Sequence, residues 1–324
     1  MRGSEDRGLT NESSGAMDTR GERVSRRPLI ETAHGTHREA FGLFEWGLLT
    51  SVALIWGASF LFIDIGLEHF GPGVVAFGRV VAGAVTLWLI PGSHRPVERV
   101  DLPRVALLGL LWMGAPLLLF PIAQQWIDSS LAGMVNGALP IFAAVVAALL
   151  LRRMPGGRIV AGIAVGFVGV VCVLWPATHD ADATALGAAL AVLAVLCYAV
   201  AVNIAVPLQQ KYGALPVLIR AQATALILLF PAALISLPDS EFSWTSTIAV
   251  LTLGVFGTAL AFVAMATLVG RAGATRGSIA TYFIPVVAIV LGVIFRDETV
   301  AAISLFGTGL ILAGAYITSR RETR

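Results

Sequence analysis

From Trp46 to Thr318 the chain is a succession of apolar blocks, each about long enough to cross a bilayer, separated by short polar breaks. A spanning helix needs about 20 predominantly apolar residues. Blocks of that size fall at 46–66, 73–91, 104–124, 130–151, 159–176, 184–206, 214–236, 244–268, 277–295 and 300–318. No other feature narrows the fold so far. Within hydrocarbon every backbone N–H and C=O must find a partner inside the protein, so apolar runs of this length are expected to be helices. The breaks carry helix-stopping chemistry: Pro72 beside Gly73, Pro91 beside Gly92, Pro155 beside Gly156 and Gly157, and Gly213. Composition agrees, with 57% hydrophobic and 13% charged residues, against roughly 25% charge in a soluble domain. Folded in water, such a chain would leave far too much apolar surface uncovered.

Met1 to Glu45 is different material, rich in Arg, Glu, Ser and Gly, with almost no aliphatic residue before Leu29. Such a segment cannot bury enough surface to offset its ordering entropy, and a disordered cytoplasmic tail is expected at 1–45. Its first 40 residues hold no continuous apolar core. No secretory signal peptide is therefore expected, and insertion begins with the first span.

The net charge of +2 points to neither nucleic acid nor an acidic partner. Its distribution says more. With a cytoplasmic N-terminus, the cytoplasmic segments hold Arg20, Arg23, Arg26, Arg27, Arg38, Arg95, Arg99, Arg104, Arg152, Arg153, Arg158, Lys211, Arg271, Arg276, Arg320, Arg321 and Arg324. The opposite segments hold a single basic residue, Arg296, and most of the acids near helix ends, among them Asp64, Glu68, Asp128, Asp180, Asp239 and Glu298. That asymmetry is the positive-inside pattern. It predicts ten spans in a cell membrane of the bacterial inner-membrane type, with both termini cytoplasmic and a short basic tail at 320–324.

Two stretches about 145 residues apart look alike. Ser130 to Arg153 reads SLAGMVNGALPIFAAVVAALLLRR, and Thr275 to Glu298 reads TRGSIATYFIPVVAIVLGVIFRDE. Pro140 falls on Pro285, Ser130 on Thr275 and Asn136 on Thr281. Arg79 and Arg220, the basic residues well inside apolar blocks, lie 141 apart in the second block of each half. Five is odd, so the second copy would run through the membrane upside down, the two repeats covering 46–176 and 184–319. Inverted repeats of this kind place a site between them near the midplane.

The chain here resembles the EamA family of the drug/metabolite transporter superfamily, over roughly Trp46 to Thr318. The resemblance rests on Trp56-Gly57-Ala58-Ser59-Phe60, on Arg79, on the small or hydroxyl residues ahead of Pro140 and Pro285, and on Glu298 at an acidic position that often ends this pattern. Arg152 and Arg153 depart from it, standing where family members often show Gly-Glu. The resemblance implies an exporter or importer of metabolites, amino acids or drugs, without a bound cofactor.

Trp56, Ser59, Arg79, Asn136, Tyr198, Arg220, Thr281 and Tyr282 are the candidates for the substrate cavity. A charge within a membrane block is costly, so Arg79 and Arg220 either bind an anionic group or gate the cavity, or else snorkel to the interface or cap carbonyls. The polar residues, with Asn203, Gln222, Gln124 and Gln125, either line a cavity or hydrogen-bond between helices. Trp46, Trp88, Trp126, Trp175 and Trp244 suit an interfacial belt, and glycines such as Gly162, Gly166, Gly169, Gly307 and Gly314 suit close helix packing. Cys172 and Cys197 sit in apolar runs as small hydrophobes and form neither a metal motif nor a disulfide framework. The histidines lie in the tail or loops, and no HExxH, GxSxG, Walker loop or dinucleotide motif is present. The expected partners are a small-molecule substrate and the lipid bilayer. A carrier working by alternating access is the first expectation. A membrane enzyme acting on lipid and a non-transporting scaffold or sensor are the alternatives.

Overall fold

A computed structural model of the chain describes residues 42–152, 156–176, 182–272 and 278–319. Most of the N-terminal tail, the basic C-terminal tail, and Arg153, Asp180, Thr275 and Arg276 lie outside the described residues. Within them all regular structure is helical. Seven helices are long and apolar enough to cross a membrane: α1 (Leu43–Leu67), α3 (Arg99–Ala123), α4 (Ser129–Leu151), α5 (Gly157–Leu174), α6 (Thr184–Tyr212), α7 (Ala214–Ser236) and α8 (Trp244–Ala272). Three shorter apolar helices pack with them: α2 (Pro72–Trp88), α9 (Ala280–Arg296) and α10 (Ala302–Ile317).

The sequence explains where the helices start and bend. Pro72 begins α2, where its missing N–H costs nothing. Ser243 precedes α8 and its hydroxyl accepts from Ser246 N at 3.4 Å. The two aligned prolines act alike. Pro140 lies in the first turn of the second helical segment of α4, after a break at Gly137 and Ala138. Pro285 lies in the first turn of the α-helical part of α9, after a 3-10 turn over Ser278–Phe283. A proline cannot supply the N–H that would carry a helix across such a point. Both segments end on a non-glycine residue in the left-handed region, Arg152 (φ 49°) and Asp297 (φ 52°). In α3 and α8 the helix loosens to π-type bonding, over Gly109–Gly114 and Leu253–Leu260.

The packing has a regular pattern. α5 lies along α10, α2 along α7, and α4 along α9. α2 also packs on α8 as α7 packs on α3, α1 on α9 as α6 on α4, and α1 on α8 as α6 on α3. Ion pairs tie both ends of the bundle. At one end Arg271 of α8 meets Glu45 of α1 at 2.5 Å, and Lys211 of α6 meets Glu98 at 2.6 Å and the buried Asp101 at 3.0 Å. At the other, Arg296 of α9 pairs with Asp64 of α1, and with Glu68 at 2.6 Å.

Candidate functional site

On α1, Trp56, Ser59, Phe60 and Ile63 recur at the i, i+3, i+4, i+7 spacing that puts them on one helix face. That face lines a small internal cavity together with Arg79 of α2, Phe120 of α3, Asn136 of α4 and Tyr198 of α6. The cavity measures about 30 Å³, room for about two waters and too tight for a metabolite. Its aromatic wall is continuous: Trp56 stacks on Tyr198 at 6.4 Å with the rings 7° from parallel, and Phe120 contacts both Phe60 and Tyr198.

The π segment of α8 holds the polar residues in place. An extra residue per turn leaves carbonyls and side chains turned away from ordinary helix bonding. Trp56 Nε1 donates to Gly257 O at 2.9 Å, Gln222 Nε2 to Thr258 O at 2.9 Å, and Thr258 Oγ1 to Leu253 O at 3.0 Å. The Thr258 hydroxyl also accepts from Arg79 Nε at 3.0 Å. Arg79 is only 3% exposed. Its guanidinium is thus held inside the bundle, against Thr258, and makes no ion pair among the described residues. The Asn136 side-chain oxygen is buried without a hydrogen-bond partner among the described residues. Ser59 Oγ donates back to Ile55 O at 2.8 Å.

Five of the eight candidate residues therefore meet around one cavity. The other three do not line it. Arg220 Nη1 donates to Pro216 O at 2.8 Å, one turn back along its own helix. The Tyr282 hydroxyl donates to Ala315 O at 2.5 Å and so joins α9 to α10. Thr281 beside it is fully buried. Asn203 Nδ2 ties α6 to α4 through Ala143 O at 3.1 Å, and Gln124 Nε2 ties α3 to α1 through Phe60 O at 2.9 Å.

Glu298 does something that spacing could not reveal. Its carboxylate accepts from Ser129 N at 3.0 Å, Ser129 Oγ at 2.6 Å and Ser130 N at 2.9 Å. It thereby caps the first turn of α4 from 168 residues away and complements the positive helix end. Asp128 stands at the N-cap position itself, yet its side chain makes no capping bond. Partial burial, then the Glu298 and Asp64 carboxylates, raise the Asp128 pKa above the usual aspartate range.

The sign of that shift makes a prediction. An acid with a higher pKa folded than unfolded lowers stability as pH climbs out of the ordinary aspartate range, and the penalty is full above the folded pKa. Asp128→Asn is expected to raise the melting temperature of the detergent-solubilised protein at pH 7. The gain should vanish below about pH 4, where both states carry the proton. Thermal unfolding followed at several pH values checks it.

Among the described residues the chain is an all-helical, strongly apolar bundle around a buried cationic pocket, and its relatives give the class. The sequence profile of the EamA-like transporter family matches residues 45–175 and again 185–320, and the chain belongs to that family. It is 26% identical to a probable terminal-alkyne amino-acid exporter of Streptantibioticus cattleyicolor, over 85% of this chain and 93% of that protein. It is also 26% identical to an uncharacterized transporter of Archaeoglobus fulgidus, over 86% of this chain and 99% of that one. The uncharacterized inner membrane transporter YedA of Escherichia coli K12 is 26% identical, over 87% of this chain and 92% of its own length. A crystal structure 18% identical in sequence superposes with a TM-score of 0.59, over 85% of this chain and 96% of that one, and so shares the fold. The chain is accordingly a multi-pass bacterial membrane transporter of the drug/metabolite type.

Proposed function

We propose that the protein is a ten-span secondary carrier made of two inverted five-helix repeats, 46–176 and 184–319, with both termini cytoplasmic. It exports small carboxylate-bearing metabolites, amino acids foremost, by alternating access.

The observation that carries the substrate class is Arg79. A guanidinium in the membrane interior costs about 2.5–3.5 kcal/mol even on a permissive scale, and among the described residues the hydrogen-bond partner of Arg79 is a neutral hydroxyl. A substrate carboxylate would supply the missing anion and match the planar fork of the guanidinium. The unsatisfied Asn136 oxygen on the cavity wall suits an ammonium group. Together they fit a zwitterion. The Streptantibioticus cattleyicolor relative, a probable terminal-alkyne amino-acid exporter, points the same way.

Three observations support inverted repeats. Pro140 and Pro285, each in the first turn of a helical segment, and the left-handed residues that end those segments, Arg152 and Asp297, recur at one offset of 145. The π segments of α3 and α8 start at Gly109 and Leu253, within one residue of the same offset, and each contains one glycine of the Leu-Gly pairs Leu108-Gly109 and Leu253-Gly254, which lie 145 apart. The pairs α5–α10, α2–α7 and α4–α9 map onto themselves when each helix of one half is exchanged for its counterpart, and α2–α8, α1–α9 and α1–α8 map onto α7–α3, α6–α4 and α6–α3; α6–α8 packs more extensively than its counterpart α1–α3. A carrier of this design has its site between the repeats, where α1 to α4 meet α6 and α8 around Arg79.

The orientation is tested by reporter fusions. Fusions after Arg95, Arg153 and Arg271 should read cytoplasmic, and those after His69, His179 and Asp239 external. An external readout from any of the first three contradicts the ten-span arrangement. The substrate class is tested in proteoliposomes with leucine and with the amine that lacks its carboxylate. Leucine should cross and the amine should not, whereas equal rates would remove the role given to Arg79.

A further inference from the structure

A groove of about 250 Å³ opens on the flank of the bundle between α1 and α8. Leu54, Ile55, Ala58, Phe62, Leu253 and Phe256 line it, and its floor is Ser59 and Gly257. Ser59 is also a wall of the central cavity. Gly257 stands between the two spaces: a Cβ there would lie 2.9 Å from Ser59 Oγ and 3.4 Å from Arg79 Nη2. Only a hydroxyl and a side-chain-free stretch of π-type backbone therefore separate an apolar groove from the buried guanidinium.

The central cavity, at about 30 Å³, cannot hold a side chain as well as a head group. We propose that the α1–α8 groove is the subsite for the apolar side chain of the transported solute, with Gly257, which adds no side chain to the partition, at the boundary the solute spans to reach Arg79. This rests on the carboxylate role given to Arg79 above. The occupant is then an amphiphile, its carboxylate on Arg79 and its hydrocarbon part among Ile55, Ala58 and Phe256. The groove wall is formed by the loosened turns of α8, so the substrate side chain and the Thr258 contact to Arg79 depend on the same π segment.

The test uses the full chain in proteoliposomes and compares efflux of alanine, leucine and phenylalanine from the same vesicles. The wild type should favour leucine over alanine by at least about tenfold, since a single methylene in an apolar pocket is already worth that much and leucine adds three carbons. Ala58→Leu fills the groove and should lower the leucine-to-alanine ratio by about tenfold. Phe256→Ala widens it and should raise the phenylalanine-to-leucine ratio. Because each readout is a ratio, reduced abundance of a variant cancels. Equal wild-type rates for alanine and leucine overturn the subsite, as do unchanged ratios in the variants, which would leave the groove to lipid alone. Failure of the wild type to carry any of the three acids would instead overturn the carboxylate-carrier function itself.

Discussion

Arg79→Lys is expected to lower transport by at least about tenfold, or ~1.4 kcal/mol, with the protein at normal abundance in the membrane. Lysine keeps the charge but loses the planar fork that a carboxylate engages through two parallel hydrogen bonds. It also loses the Nε–H that donates to Thr258 Oγ1 at 3.0 Å, so the remaining charge is no longer aimed. Were Arg79 a snorkelling residue, a long stem with a charged end would suffice and the lysine variant would transport normally. Arg79→Ala should abolish transport, but it removes packing as well and discriminates less. Initial rates in proteoliposomes, normalised to protein reconstituted, check both.

Gly73→Val is expected to prevent assembly altogether. Gly73 is the second residue of α2, and a Cβ there would collide with the Ala232 carbonyl of α7 and approach Ser236 Oγ at 2.8 Å. Gly73 N donates to that same serine hydroxyl at 3.0 Å, and Gly71 N to Ser240 Oγ at 2.9 Å. Small residues let membrane helices approach to backbone contact, and here the obstacle is backbone, which has nowhere to go. Gly73→Ala should already cost stability, and valine should leave no monodisperse protein after detergent extraction. Size-exclusion chromatography of the two variants beside the wild type reads the outcome.

Much of this architecture was legible in the residues, for definite physical reasons. Lipid forbids unpaired backbone, so long apolar blocks can do little but form helices, and the helices observed follow those blocks with ends shifted by a few residues. The ninth block is not α-helical throughout: Ser278–Phe283 is a 3-10 turn that leads into the α-helical Ile284–Arg296. Pro140 and Pro285 were visible because a proline in an apolar run must interrupt bonding. Arg79 was visible because a cation there needs a reason.

Other parts of the site left no such trace. Gly257 and Thr258 sit in an apolar run where a hydroxyl ordinarily bonds back along its own helix. That α8 loosens there and turns Thr258 toward Arg79 depends on packing against α2, which no local pattern records. Glu298 was singled out by family resemblance, but its grip on Ser129 and Ser130 joins residues 169 and 168 apart. Tyr282 looked like a cavity residue, yet its hydroxyl serves α10. In a helix the sequence shows which residues share a face, while the neighbour that face meets is decided by the whole bundle.

Alternating access around Arg79 is tested most directly by counterflow. Vesicles containing the purified protein are loaded with excess unlabelled leucine and diluted into a trace of labelled leucine. A carrier that exposes one site to each side in turn should accumulate label transiently inside, above its outside concentration, and Arg79→Lys should suppress that overshoot. Label that only equilibrates, without an overshoot, in vesicles where leucine does cross would contradict a carrier and indicate an open pathway instead.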